Sequence, residues 1–139
     1  MGKSYLVEGA RLRCMCGSKS SSLKVFPVGH GYTANGKIKA KCTDSLPIFN
    51  IPDFGDCKMN KEGKVCKGYM KLAKEWENTG GSSWTLEEIC NQKTLTMDSV
   101  LLCGRGGIIV PETSGQGDVR KINWEEYEKR YGLILSILV

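Results

Sequence analysis

A chain of 139 residues, 40% of them hydrophobic, can bury one core of modest size, and its 17 glycines suit short strands and tight turns better than a helical bundle. Twenty Lys and Arg against 15 Asp and Glu leave a formal charge of +5. The basic residues are scattered, with Lys37, Lys39 and Lys41 on one face of a strand and Lys58, Lys61, Lys64, Lys67, Lys71 and Lys74 strung along a loop and helix, which reads as a solvated surface and argues against a nucleic-acid site.

Taken in order, residues 6–16 alternate. Leu6, Ala10, Leu12, Cys14 and Cys16 share one side, with Glu8 the exception, and Arg11, Arg13 and Met15 take the other. That is the pattern of a half-buried strand. Residues 17–22, a glycine followed by serines and one lysine, read as an exposed loop. Residues 23–28 form a second short strand, which Pro27 confines to an edge. Asn35-Gly36, between residues 32–34 and the alternating run 37–42, predicts a type I′ hairpin because both turn positions need positive φ. Its second arm turns Ile38, Ala40 and Cys42 inward. Residues 47–51 make another short strand closed by Pro52.

A polar segment follows, with Cys57 and Cys66 near its ends. Residues 68–77 predict a short helix with Tyr69, Leu72, Ala73 and Trp76 on one side. Gly80-Gly81-Ser82-Ser83 is a flexible break, and Thr85 with Glu88 forms a capping box that opens a helix to about Asn91. Residues 95–103 are a strand region, 104–107 a glycine turn, and Ile108-Ile109-Val110 a β-branched core strand ended by Pro111. After a polar linker at 113–118, Asn123 and Glu126 open a helix that runs to about Tyr131, where Gly132 stops it. The apolar tail 133–139 then docks as a strand or lies on a partner.

No apolar leader opens the chain, since Glu8 and Arg11 follow closely on the first residues, and the start lacks an acylation pattern. The tail is too short to span a bilayer, so no stable membrane insertion is expected. The expected site of synthesis and folding is the cytoplasm. In a reducing compartment a cysteine-rich chain is more often metal-binding than disulfide-bonded, and the seven cysteines here, being odd in number, cannot all pair.

Cys14 and Cys16, one residue apart in an extended run, point their thiols to one side. Two sulfurs so placed suit one soft ion and suit a disulfide to each other poorly. Cys57, Cys66 and Cys103, at loops and strand ends, are candidates for the remaining ligands, as is His30 between Gly29 and Gly31. Cys42 and Cys90 read as plain buried thiols. A zinc site, free thiols and one or two disulfides all remain open at this point. One histidine in a glycine-rich turn is a poor general base, and the 104–107 turn runs into a strand where a phosphate loop would run into a helix, so no catalytic residue is assigned.

The order of four short segments resembles a known family. They are Tyr5-Leu6-Val7-Glu8-Gly9-Ala10 running into Leu12-Arg13-Cys14-Met15-Cys16-Gly17; Asn35-Gly36 after a His-Gly; Asn50-Ile51-Pro52-Asp53-Phe54-Gly55-Asp56-Cys57; and Met97-Asp98-Ser99-Val100-Leu101-Leu102-Cys103 with Gly106-Gly107-Ile108-Ile109. Together they resemble the DUF4280 family of PAAR-like proteins over about residues 4–117. The resemblance implies a mainly β, small α+β fold: a conical domain of short strands and hairpins with one or two short helices, over residues 1–117. A C-terminal extension at 118–139 lies outside it.

The implied role is non-enzymatic. Such proteins sit as a single copy on the trimeric spike (of the valine-glycine-repeat type) of contractile injection systems such as type VI secretion, link toxin effectors or their adaptors to it, and leave the cell with it. A metal ion near the apex is held by His and Cys. Carried over by motif, the ligand set is Cys14, Cys16, Cys57 and Cys103, with His30 and Cys66 as secondary candidates and zinc as the ion, iron being the other choice. This chain departs from the better-known pattern in having one histidine and a long 56–94 segment that carries Cys66 and Cys90. A tapered tip has too few residues for an apolar core, and a metal crosslink holds such a point without one. Two other readings are carried: an effector-binding adaptor or chaperone that uses residues 123–139 as its contact, and a small zinc-ribbon nucleic-acid binder or thiol enzyme.

Overall fold

The computed structural model describes residues 5–25, 33–34, 36–40, 44–47, 49–58, 66, 71–77, 88–89, 92–93, 95–104 and 106–138. His30, Cys42, Cys90, the 26–28 end of the second predicted strand and the Gly80–Ser83 break lie outside them. The fold is mainly β. A four-stranded antiparallel sheet has the order β2-β1-β8-β7, with β1 at Arg11–Cys14, β2 at Ser21–Ser22, β7 at Leu101–Cys103 and β8 at Gly107–Pro111. Two small hairpins stand beside it: β3 (Thr33–Ala34) with β4 (Lys37–Ile38), and β5 (Glu88–Ile89) with β6 (Gln92–Lys93). The helix among the described residues is α1, Trp124–Leu138, and none there is long and apolar enough to cross a membrane.

Strand register sorts the side chains. Leu12 pairs with Pro111, Cys14 with Ile109, Leu101 with Ile109 and Cys103 with Gly107. Because side chains alternate along a strand, Leu12, Cys14, Leu101, Cys103 and Ile109 share one face. That face closes a core with Leu6, Leu23, Val25, Ile51, Phe54, Trp76 and Leu95. The opposite face carries Val100, Leu102, Ile108 and Val110, and it is covered by Ile122 and by Trp124, Tyr127 and Tyr131 of α1. Burying a Val, Leu or Ile side chain is worth about 1.5–3 kcal/mol, so the tail segment packs back on the sheet with substantial stabilisation.

The Asn-Gly hairpin forms as expected, with Ala34 opposite Lys37 and Gly36 at φ +78°. The Asn123 cap is also present, its side-chain oxygen accepting the Glu126 N–H at 3.4 Å. Several local expectations fail. Residues 71–77 are extended along β7 where a helix was expected: Ala73 N–H donates to Leu102 O at 2.9 Å, Gly104 N–H to Lys71 O at 2.6 Å, and Glu77 exchanges both backbone bonds with Val100. Leu72 opposes Cys103 and Glu77 opposes Val100, so the segment bulges by two residues as it follows the strand. The free edge of β7 outweighs a weak helical periodicity, because each bond there satisfies a buried backbone group.

Glu88–Ile89 pairs with Gln92–Lys93, so the capping-box signal at 85–88 does not open a helix there. Residues 47–51 form a turn, where a strand was expected, with Asn50 and Ile51 N–H both donating to Leu46 O. Pairing of the second strand starts earlier than its apolar residues suggested, at Ser21–Ser22 against Leu12 and Arg11. Gly132 does not stop α1. A helix-interior glycine costs only about 1 kcal/mol, and the leucines and isoleucines that follow it in sequence continue the helix.

Candidate metal centre

The alternation of β1 puts Cys14 on the core face. The β7–β8 turn, with Gly106 at φ +106°, brings Cys103 back opposite Gly107. Gly107 is what makes room: a Cβ there would stand 2.8 Å from Cys14 Sγ and 3.4 Å from Cys103 Cβ. Two thiol-bearing side chains therefore meet over a glycine. Cys16 continues from β1 and its thiol donates to Gly106 O at 3.6 Å.

Cys57 arrives from the other side of the core. Phe54 is fully buried, its carbonyl accepts the Ser18 and Lys19 N–H groups, and Gly55 turns the chain at φ +78°. Cys57 then bridges to Gly17, and Lys58 N–H donates to Cys16 O at 2.9 Å. Gly17 has to be glycine, since a Cβ would lie 2.5 Å from Phe54 Cβ. Cys66 is tied to the same loop by its N–H, which donates to Gly55 O at 2.7 Å.

The five described cysteines are all free, and Cys16, Cys66 and Cys103 are buried. They feel one another's charge. Burial, with the charges of Cys16, Cys103 and Cys66, pushes Cys14 up to about 12, against the opposing pull of the Cys16 amide. Burial also raises Cys16, helped by Cys57 and Cys103, while Lys58 opposes the rise. Cys66 is raised by burial and by Cys57 and Cys103, against a hydrogen bond from the Phe54 amide. Lys71 N–H donates to Cys103 Sγ at 3.3 Å. Cys103 Sγ thus accepts a backbone N–H bond, the second-layer support typical of a thiolate ligand.

Of the expected candidates, Cys14 and Cys103 meet at Gly107, and Cys16, Cys57 and Cys66 lie close enough to them to feel their charge. In sequence Cys66 was a secondary ligand candidate beside the four motif cysteines, and the roles of Gly17 and Gly107 carried no signal beyond glycine itself. The fold supplies a shared neighbourhood and stops short of coordination: among the described residues no three His, Cys, Asp or Glu side chains close on one point. The donor set nonetheless fits a soft ion in kind. Burial, helped by mutual repulsion, holds the thiols of Cys14, Cys16 and Cys66 protonated, and a bound dication reverses both effects.

A polar cavity of about 320 Å³ lies on the helix side, lined by Asp98, Arg120, Lys121, Asn123, Glu126, Tyr127 and Arg130. Its carboxylates and cations offset one another, and Arg130 already pairs with Glu126 at 3.7 Å.

The family described as a domain of unknown function, DUF4280, matches residues 6–116. The chain belongs to that family, as the order of its motifs led one to expect. No curated protein and no solved structure matches it.

Proposed function

We propose that this member of the DUF4280 family is a thiolate-crosslinked tip protein that caps the trimeric spike of a contractile injection system and links effector cargo to it. The observation that carries the reading is the gathering of cysteines from distant parts of the chain. Cys14 and Cys103 meet at Gly107, Cys103 Sγ accepts the Lys71 N–H, and residues 14, 16, 57, 66 and 103 lie close enough to feel one another's charge. Four of the five would hold zinc, Cys14 and Cys103 over Gly107 with two of Cys16, Cys57 and Cys66. The ion would supply structural crosslinking, with no chemistry on a substrate.

The thiols support this role over nucleophilic catalysis. An activated cysteine has a lowered pKa, whereas Cys14, Cys16 and Cys66 are all raised. The expected family role supplies the spike and the cargo, and the sulfur-rich cluster supplies the reason a tapered end would hold its shape.

The experiment has two parts. Metal content of protein purified under reducing conditions is measured by mass spectrometry, for the wild type and for Cys14→Ser with Cys16→Ser. About one zinc per chain, lost in the double variant together with thermal stability, is the expected result. Binding to the trimeric spike protein encoded with it is then measured by light scattering, with one copy per trimer expected. A chain that carries no metal and melts identically in chelator would end the crosslink reading; a metal-bound chain that ignores the spike would end the capping reading.

A further inference from the structure

The turn at residues 44–51 has its polarity inverted. Its buried members are polar: Asp44 and Ser45 are each 4% exposed and Asn50 is 3% exposed. Its outward members are apolar: Leu46 is 58% and Phe49 64% exposed, with Pro47 exposed between them. Turns ordinarily place Asn, Asp and Ser toward water. Two large apolar side chains held in solvent by one turn call for an occupant.

The polar interior fixes the frame. Trp76 Nε1 donates to Asp44 O at 3.0 Å, and Ser45 Oγ donates to Lys74 O at 2.7 Å. Asn50 accepts the Leu46 N–H at 3.1 Å and donates through Nδ2 to Lys24 O at 2.9 Å. Lys24 N–H donates to Asn50 O at 2.9 Å. Leu46 and Phe49 are thus presented from a braced backbone, so docking them costs little ordering entropy. Rigid aromatic and aliphatic anchors of this kind dominate binding energy at protein interfaces.

Charge defines the partner. Lys24 and Lys74, whose backbones hold the turn, are both exposed, and no ion pair engages either among the described residues. Glu75 next to Lys74 already has a partner. An apolar knuckle held by the backbones of two exposed lysines, neither ion-paired among the described residues, matches an apolar recess rimmed by carboxylates. Anionic bilayers are captured by clusters of about four to eight basic residues, more than this turn offers.

We propose that the 44–51 turn is a preformed docking knuckle for a protein partner whose surface presents an apolar recess edged by Asp or Glu. The inference is independent of the metal site and of the spike reading.

The test places p-benzoylphenylalanine at Phe49 and, as a control, at Val119, which is 67% exposed elsewhere on the molecule. Both proteins are made in the native host, irradiated, and their crosslinks mapped by mass spectrometry. The expected result is one dominant product from position 49, absent from position 119, with its crosslinked peptide in an acid-rimmed apolar site. Adding K24E and K74E should cut its yield at least fivefold. No product above the control, a product with a second copy of this chain, a mapped site without carboxylates, or indifference to the charge reversal each overturns the proposal. So does sedimentation of the wild type with phosphatidylserine vesicles that L46D with F49D abolishes. The urea midpoint of L46D with F49D should match the wild type, since both side chains face solvent.

Discussion

One face of the β2-β1-β8-β7 sheet is covered by α1, and the other by loops drawn from along the chain between Leu6 and Leu95. The helix side needs little beyond apolar contact: Val100, Leu102, Ile108 and Val110 meet Trp124, Tyr127 and Tyr131, and α1 satisfies its own backbone. The loop side has no such economy. Its backbone groups are bonded one by one across long sequence separations, as where Leu6 N–H donates to Leu95 O and Ala40 N–H to Leu6 O. Cys66 belongs to its core, and Cys14 and Cys57 pack against it. Regular structure closes a core by repetition, while irregular structure needs specific bonds, and the cysteines cluster where those bonds are the main restraint.

The largest difference between the faces should come from Phe54→Ala. Phe54 is fully buried in the core cluster that includes Cys66 and against which Cys14 and Cys57 pack. Its loss should cost about 3–5 kcal/mol in urea titrations and abolish metal uptake. Tyr127→Ala, half-buried on the helix side, should cost about 1–2 kcal/mol and leave metal uptake intact. Equal effects of both on metal would erase the distinction between the faces.

Gly107→Ala sharpens it further. The new methyl falls 2.8 Å from Cys14 Sγ, so zinc affinity, read by competition with a chromophoric chelator, should fall at least tenfold. The metal-free protein should lose about 1–3 kcal/mol through overpacking. Unchanged affinity would mean that the thiols do not assemble over Gly107.

Acidity distinguishes the faces next. Cys14 is held at about 12 in the fold against an ordinary 9.0. A folded pKa above the unfolded one stabilises fully below the lower value, and the benefit is lost as pH rises through the higher. Metal-free protein should therefore weaken between about pH 9 and pH 12, and Cys14→Ser should flatten that part of the profile. Denaturation curves across that window provide the check. Metal-loaded protein, its thiols already deprotonated, should show little of the loss.

The smallest effect is at the sheet's exposed rim. Arg11 Nε and Arg13 Nε reach Glu112 at 2.7 and 3.0 Å. Burial pushes the Glu112 carboxyl up, but the two guanidinium groups outweigh it and hold it below 4.5. The contribution is present above that value and lost as pH falls through the lowered one. Glu112→Gln should cost under about 1 kcal/mol, and molar salt should erase the difference between it and wild type in thermal melts.

Some of this was written in local sequence. The alternation of 10–14 fixed which face of β1 is buried, Asn35-Gly36 fixed a two-residue hairpin through its demand for positive φ, and β-branched Ile108-Ile109-Val110 marked the central strand. Each is decided by neighbours within a few residues. The four motif cysteines were singled out by the family resemblance, local sequence alone leaving metal, free thiols and disulfides open.

What tertiary structure alone decided were the outcomes set by partners remote in the chain. Residues 71–77 are extended because β7 offers an edge, Glu88–Ile89 pairs with Gln92–Lys93 in spite of a helix cap, and α1 passes through Gly132. Cys66 joins the other sulfurs because Gly55 O takes its N–H. Periodicity and capping describe a segment by itself, whereas hydrogen-bonding edges and apolar faces belong to the assembled molecule, and where the two compete the buried backbone group that must be satisfied prevails.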